Sequence, residues 1–108
     1  MHIAVKLRFV SDEGEILVCP GCAQLLELIG ETGSVSRAAA SMGLSVSKAW
    51  RLLDNAEKSG IKLLSRQQGG KGGGRSELTE DARKLIRQYK EKTELVRKYA
   101  SSLEEDLP

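Results

Sequence analysis

Ser34-Val35-Ser36-Arg37-Ala38-Ala39-Ala40-Ser41-Met42-Gly43-Leu44-Ser45-Val46-Ser47-Lys48-Ala49-Trp50-Arg51 is the stretch that decides the fold. Its first half is a short helix whose three consecutive alanines let another helix approach closely. Gly43 supplies the positive φ that a sharp turn between two helices needs. Ser45 then caps a second helix over Val46–Lys58. Projected at helical spacing, Val46, Ala49, Trp50, Leu53 and Ala56 share an inward arc. Ser47, Lys48, Arg51, Asn55 and Lys58 fall on the opposite side. One face is core and the other is a row of hydrogen-bonding and cationic groups.

Working outward, Gly60 ends that helix and Ile61–Arg66 reads as a short strand. A glycine-rich basic loop follows, Gly69-Gly70-Lys71-Gly72-Gly73-Gly74-Arg75, and Ser76–Leu78 returns as a second strand. Glycine weakens ordered structure by roughly 0.5–1 kcal/mol per residue, so such a run is not there for packing. It lets a backbone lie against phosphates, with Lys71 and Arg75 adding charge. A nucleotide-cradling loop would need Ser or Thr after its lysine, and here Lys71 precedes Gly72. Helix, turn, helix and basic wing in this order predict an α+β winged helix-turn-helix that binds duplex DNA.

Upstream, Ile3, Val5, Leu7 and Phe9 alternate with Ala4, Lys6 and Arg8, which predicts a strand over His2–Val10. Ser11–Gly14 is a turn and Glu15–Cys19 a second strand. Pro20 fits the first turn of a helix that runs to about Glu31. Downstream, Thr79 caps a long helix with Ala82, Leu85, Ile86, Tyr89, Thr93, Val96, Tyr99, Ala100 and Leu103 at spacings of three or four. A domain of this size cannot cover so long a stripe, so Leu85, Tyr89, Val96, Tyr99 and Leu103 are expected at a subunit interface. The acidic end, Glu104-Glu105-Asp106, is expected to fray. The whole is expected to be one domain over residues 1–108. Its parts are a hairpin (1–19), a three-helix unit (20–60), a wing (61–78) and a long helix (79–105).

Charge follows the same plan. Residues 1–33 carry a net −3, residues 34–76 a net +6 and residues 77–108 a net −1, so the overall +2 conceals a basic centre. Affinity for nucleic acid depends on that local field. At 108 residues, 40% hydrophobic and 30% charged, the chain suits a folded module too small for an enclosing enzyme cleft. No run approaches the roughly 18 apolar residues of a membrane span, and no basic-then-apolar leader opens the chain. A cytoplasmic protein is the expectation. No nucleophile–base pair or apolar carboxylate cluster suggests catalysis, and no cofactor or small-molecule effector is assignable.

The major groove admits one helix, with residues near its N-terminus meeting base edges. Lys48 and Arg51 suit guanine O6 and N7, and Asn55 suits adenine. Ser34, Ser36, Arg37, Ser45 and Ser47 suit phosphates, as do Arg66, Lys71 and Arg75 on the wing. Trp50 faces the apolar side and is expected to pack rather than stack on bases.

The runs Gly33–Ala39, Leu44–Trp50 and Gly69–Gly74, followed by Leu78-Thr79-Glu80, make residues 3–100 resemble the N-terminal domain of the ModE family. These are molybdate-responsive transcription regulators with a LysR-type winged helix-turn-helix. The resemblance implies a homodimer formed partly through the first and last helices, bound to a palindromic operator. It matches Ser47, Lys48 and Arg51 to the reading helix and Lys71 to the wing. The family's molybdate site lies in a separate C-terminal domain and this sequence ends at Pro108, so oxyanion sensing is not carried over. A stand-alone DNA-binding module is the expectation.

Cys19-Pro20-Gly21-Cys22 admits three readings: two small residues at a strand-to-helix junction, half of a zinc site, or a redox dithiol. His2 alone could supply a further metal ligand, and it reads better as a terminal surface residue. The alternative functions are a metal- or redox-responsive regulator with Cys19 and Cys22 as its input, and a winged-helix protein-interaction module. An RNA-binding winged helix is disfavoured by the lack of exposed aromatics.

Overall fold

The structure, a computed structural model, describes residues 1–67 and 75–108. Three helices form its centre: α1 (Pro20–Thr32), α2 (Val35–Ser41) and α3 (Val46–Glu57). Leu25, Leu26 and Ile29 of α1 lie completely buried against Ala38 and Ala39 of α2 and Ala49, Leu53 and Ala56 of α3. Alanines at the α2–α3 crossing have no bulk to hold the axes apart, which is why so short a helix docks flush. The fold is a mixed α+β winged helix-turn-helix.

Each helix start is fixed by its own side chain. Ser34 Oγ accepts the Arg37 amide at 3.1 Å, Ser45 Oγ the Lys48 amide at 3.1 Å and Thr79 Oγ1 the Ala82 amide at 3.0 Å. Such caps contribute about 1 kcal/mol each. Helix α1 ends at Gly33, whose left-handed φ of 71° lets its amide reach the Ile29 carbonyl at 2.8 Å.

Two antiparallel ribbons flank the helices. β1 (Phe9–Val10) pairs with β2 (Ile16–Val18) around an irregular register, and β3 (Leu64–Gln67) pairs with β4 (Arg75–Leu78). The strand expected over His2–Val10 is therefore paired only at its last two residues. Val5, Leu7 and Phe9 still turn inward while Lys6 and Arg8 stay exposed. The facing arm has just three residues before Pro20 opens α1, so the extended N-terminus finds its partner elsewhere. Tyr89 Oη donates to the Leu7 carbonyl at 2.8 Å, and the Phe9 and Tyr89 rings meet edge to face with centroids 5.3 Å apart. The expected strand from Ile61 begins at Leu64 instead. Its first residues are held by a Glu57 carboxylate that accepts the Leu63 amide at 3.0 Å.

Helix α4 (Glu80–Ser102) packs Ala82, Leu85, Ile86 and Tyr89 on the core and then runs on past it. The acidic end expected to fray instead forms a 3₁₀ turn over Leu103–Asp106. The N-terminus meets it: His2 Nδ1 lies 2.9 Å from Glu104 Oε2, and the terminal amine donates to the Pro108 carbonyl at 3.0 Å. Among the described residues no helix is long and apolar enough to cross a membrane.

Candidate nucleic-acid interface

Helix α3 presents its polar face outward because its other face is occupied by the core. Ala49, Leu53 and Ala56 are buried, while Ser47, Lys48 and Arg51 are exposed and Asn55 is half-buried. Ser45, as the cap, has its hydroxyl engaged by the Lys48 amide, which leaves the other first-turn amides directed outward. Among the described residues neither Lys48, Arg51 nor Arg37 forms an ion pair, whereas Lys58 faces Glu15 at 3.7 Å. Trp50 is half-buried against the core and lines a cleft of about 350 Å³ with Leu53, Glu57 and Leu63.

Val46 corrects the expected helical arc. Placed inward by the projection, it is 45% exposed beside Ser45 and Ser47. It is the first residue of α3, and the buried residues of that helix begin only one turn later, at Ala49. An apolar group thus joins the outward end of the helix.

The wing is joined to the helix-turn-helix through β4, whose Leu78 is buried in the core against Gly30 of α1. The Ser76 amide donates to the Gly33 carbonyl at 2.9 Å, so β4 is tied to the α1–α2 junction. A Cβ at Gly33 would come within 2.7 Å of Arg75 Nε. Arg75 therefore lies across Gly33, next to the α2 cap where Ser34 and Ser36 share a hydroxyl contact of 3.1 Å and Arg37 is exposed. Glu77 approaches the same guanidinium at 4.0 Å. Ser34, Ser36, Arg37 and Arg75 are thus brought together on one side, a proximity that no sequence spacing announces. Lys71 and the side chain of Arg66 lie outside the described residues.

Of the α4 residues expected between subunits, Leu85 and Tyr89 are buried within this chain and Val96 is half-buried. Tyr99 and Leu103 are exposed at 68% and 50%, and Leu95, not among the expected set, at 59%. Cys19 and Cys22 are free thiols at the start of α1. Among the described residues no cluster of three or more His, Cys, Asp or Glu side chains gathers around them or elsewhere.

The geometry is that of a capped helix offered outward on a two-helix platform with a wing beside it. The model of bacterial regulatory helix-turn-helix proteins of the lysR family matches residues 23–83, from α1 into α4. The chain belongs to this family. Its class is that of DNA-binding, transcription-regulating domains, and it is similar to the ModE regulators. It is 42% identical over 69 residues to the molybdenum transport protein ModE of Herbaspirillum seropedicae, covering 62% of this chain and 25% of that protein. The transcriptional regulator ModE of Yersinia pestis is 34% identical over 83 residues, covering 76% of this chain and 32% of the relative. The DNA-binding transcriptional dual regulator ModE of Escherichia coli K12 is 37% identical over 71 residues, 65% of this chain and 27% of its own length. The chain thus spans about a quarter to a third of the curated relatives it matches.

Proposed function

We propose that the protein is a sequence-specific, double-stranded DNA-binding transcription regulator that acts as a homodimer on a palindromic operator. The observation that carries the reading is the outward face of α3, where Ser47, Lys48 and Arg51 are exposed behind a Ser45 cap. In the major groove Lys48 and Arg51 donate to guanine edges and Asn55 to adenine, while Ser34, Ser36, Arg37 and Ser45 meet phosphates. The wing, with Arg66, Lys71 and Arg75, tracks the adjacent backbone. Leu95, Tyr99 and Leu103 on the distal part of α4 are the apolar surface that a second copy covers. A symmetric pair of reading helices calls for a symmetric site.

Selection of bound fragments from a random duplex pool tests this directly. An enriched inverted repeat is expected. A pool that enriches a single unrepeated half-site removes the dimer, and one that enriches nothing removes sequence-specific binding.

A further inference from the structure

The cysteine pair is not used by the DNA-binding face, and its placement is specific. Cys19 is the N-cap of α1 and Cys22 the third residue of its first turn, with Pro20 and Gly21 between them. Cap and third position are the two sites whose side chains each reach the other residue's backbone amide at a helix start. Cys19 Sγ already accepts the Cys22 amide at 3.4 Å. Closing a bridge between these positions asks for a side-chain rotation at Cys22, whose Sγ now points instead at the Leu52 carbonyl of α3, 3.8 Å away.

The two sulfurs are unequal. Cys19 is half-buried and reachable, whereas Cys22 is 1% exposed. Burial pushes the Cys22 thiol up to about 12, and the charge of Cys19 adds to the rise, so the Cys22 sulfur lies within the field of its neighbour. One thiol is placed to meet a solution reagent and the other only to meet its neighbour. That arrangement suits an exchange in which Cys19 meets the reagent and Cys22 has Cys19 alone to react with.

We propose that Cys19 and Cys22 form a redox-active dithiol that reacts with small-molecule disulfides of the glutathione class and closes to an intramolecular bridge at the start of α1. Cys19 Sγ, its proton lost to water, attacks one sulfur of the small disulfide. A mixed disulfide forms as the small molecule's own S–S bond breaks, and the expelled thiolate takes up a proton. Cys22 Sγ leaves the Leu52 carbonyl, gives its proton to the departing thiolate and attacks Cys19 Sγ, releasing the second small thiol. Two electrons pass from the protein dithiol to the small disulfide, and excess reduced thiol reverses both steps.

The test uses the full chain, reduced and then incubated with oxidised glutathione under native conditions, with alkylation and intact mass as the readout. The wild type is expected to lose two hydrogens, resist alkylation at both cysteines and remain a single chain without reductant. Cys22→Ser is expected to retain one glutathione on Cys19, and Cys19→Ser none. Wild-type thiols that stay alkylatable while the urea-unfolded chain oxidises would overturn the proposal without recourse to either variant. So would glutathione on Cys22 in Cys19→Ser, or a product joined between chains.

Discussion

Arg51 and Lys48 were legible as outward residues because a helical projection needs only the sequence. Val46 was not, because a projection gives direction around the helix and not how far along it the core reaches, and the buried residues of α3 begin at Ala49. The convergence of Arg75 with Ser34, Ser36 and Arg37 was equally hidden. It depends on long-range contacts of β4 with α1, the Ser76 amide on the Gly33 carbonyl and Leu78 against Gly30. Arg51 makes no ion pair among the described residues, so removing it leaves no stranded acid. Arg51→Ala is accordingly expected to cost about 1–3 kcal/mol on the selected duplex and to relax preference at one base pair. Binding isotherms on selected and random duplexes check this, and equal losses on both would assign Arg51 to phosphate instead. Cys22 gives a pH prediction. Its folded thiol sits near 12 against an ordinary value of 9.0, raised first by burial and then by Cys19. A thiol raised in the folded state contributes stability that is complete below the unfolded value and is lost as pH climbs through the folded one. Between about pH 9 and 12 the wild type should therefore lose stability more steeply than Cys22→Ala. Urea midpoints across that window, with parallel slopes for the two proteins as the contrary result, decide it.

Elements were read from the sequence as far as local signals reached. The caps Ser45 and Thr79 are local chemistry, and each starts a helix where the spacing placed it. By the same local means the left-handed Gly33 ends α1 and the Ser34 cap starts α2. Strands depend on partners, and there the reading stretched too far: three residues of β2 cannot pair with nine residues of arm. The N-terminal arm is instead held by Tyr89 and by Glu104, contacts 82 and 102 residues away that no pattern encodes. Helix α4 offers the element-scale test. Thr79 Oγ1 both accepts the Ala82 amide at 3.0 Å and donates to the Lys62 carbonyl at 2.5 Å, joining the cap of α4 to the approach to β3. Thr79→Ala deletes both bonds and is expected to lower unfolding free energy by about 1–2 kcal/mol. Thr79→Ser keeps the hydroxyl and should recover most of that in urea denaturation. Equal destabilisation by the two substitutions would show that the methyl, not the hydroxyl, holds the junction.

Across the whole molecule, some cations are already met by an acid of the same chain and others are not. On α4, Lys90 meets Glu27 at 3.1 Å, while Arg83 and Arg87 share Glu80 at 3.8 and 3.9 Å, so these cations are matched within the chain. Arg37, Lys48 and Arg51 have no such partner among the described residues, and they belong to the central segment with its net +6. Phosphates should therefore displace counterions from the helix-turn-helix and wing, and the paired cations Arg83, Arg87 and Lys90 should take no part in the exchange. If each protomer neutralises about four phosphates, log K should fall against log salt with a slope of about −7 for the dimer. Arg87→Ala should leave that slope unchanged, because its charge is already paired away from the duplex. Lys71→Ala should weaken selected and random duplexes alike and make the slope shallower by roughly one per protomer. Filter binding or fluorescence anisotropy from low to moderate salt measures all three. A dimer slope near half that value would mean that one reading helix engages at a time. A flat dependence would mean that the cationic face meets a protein, with the exposed end of α4 then the better place to look for the contact.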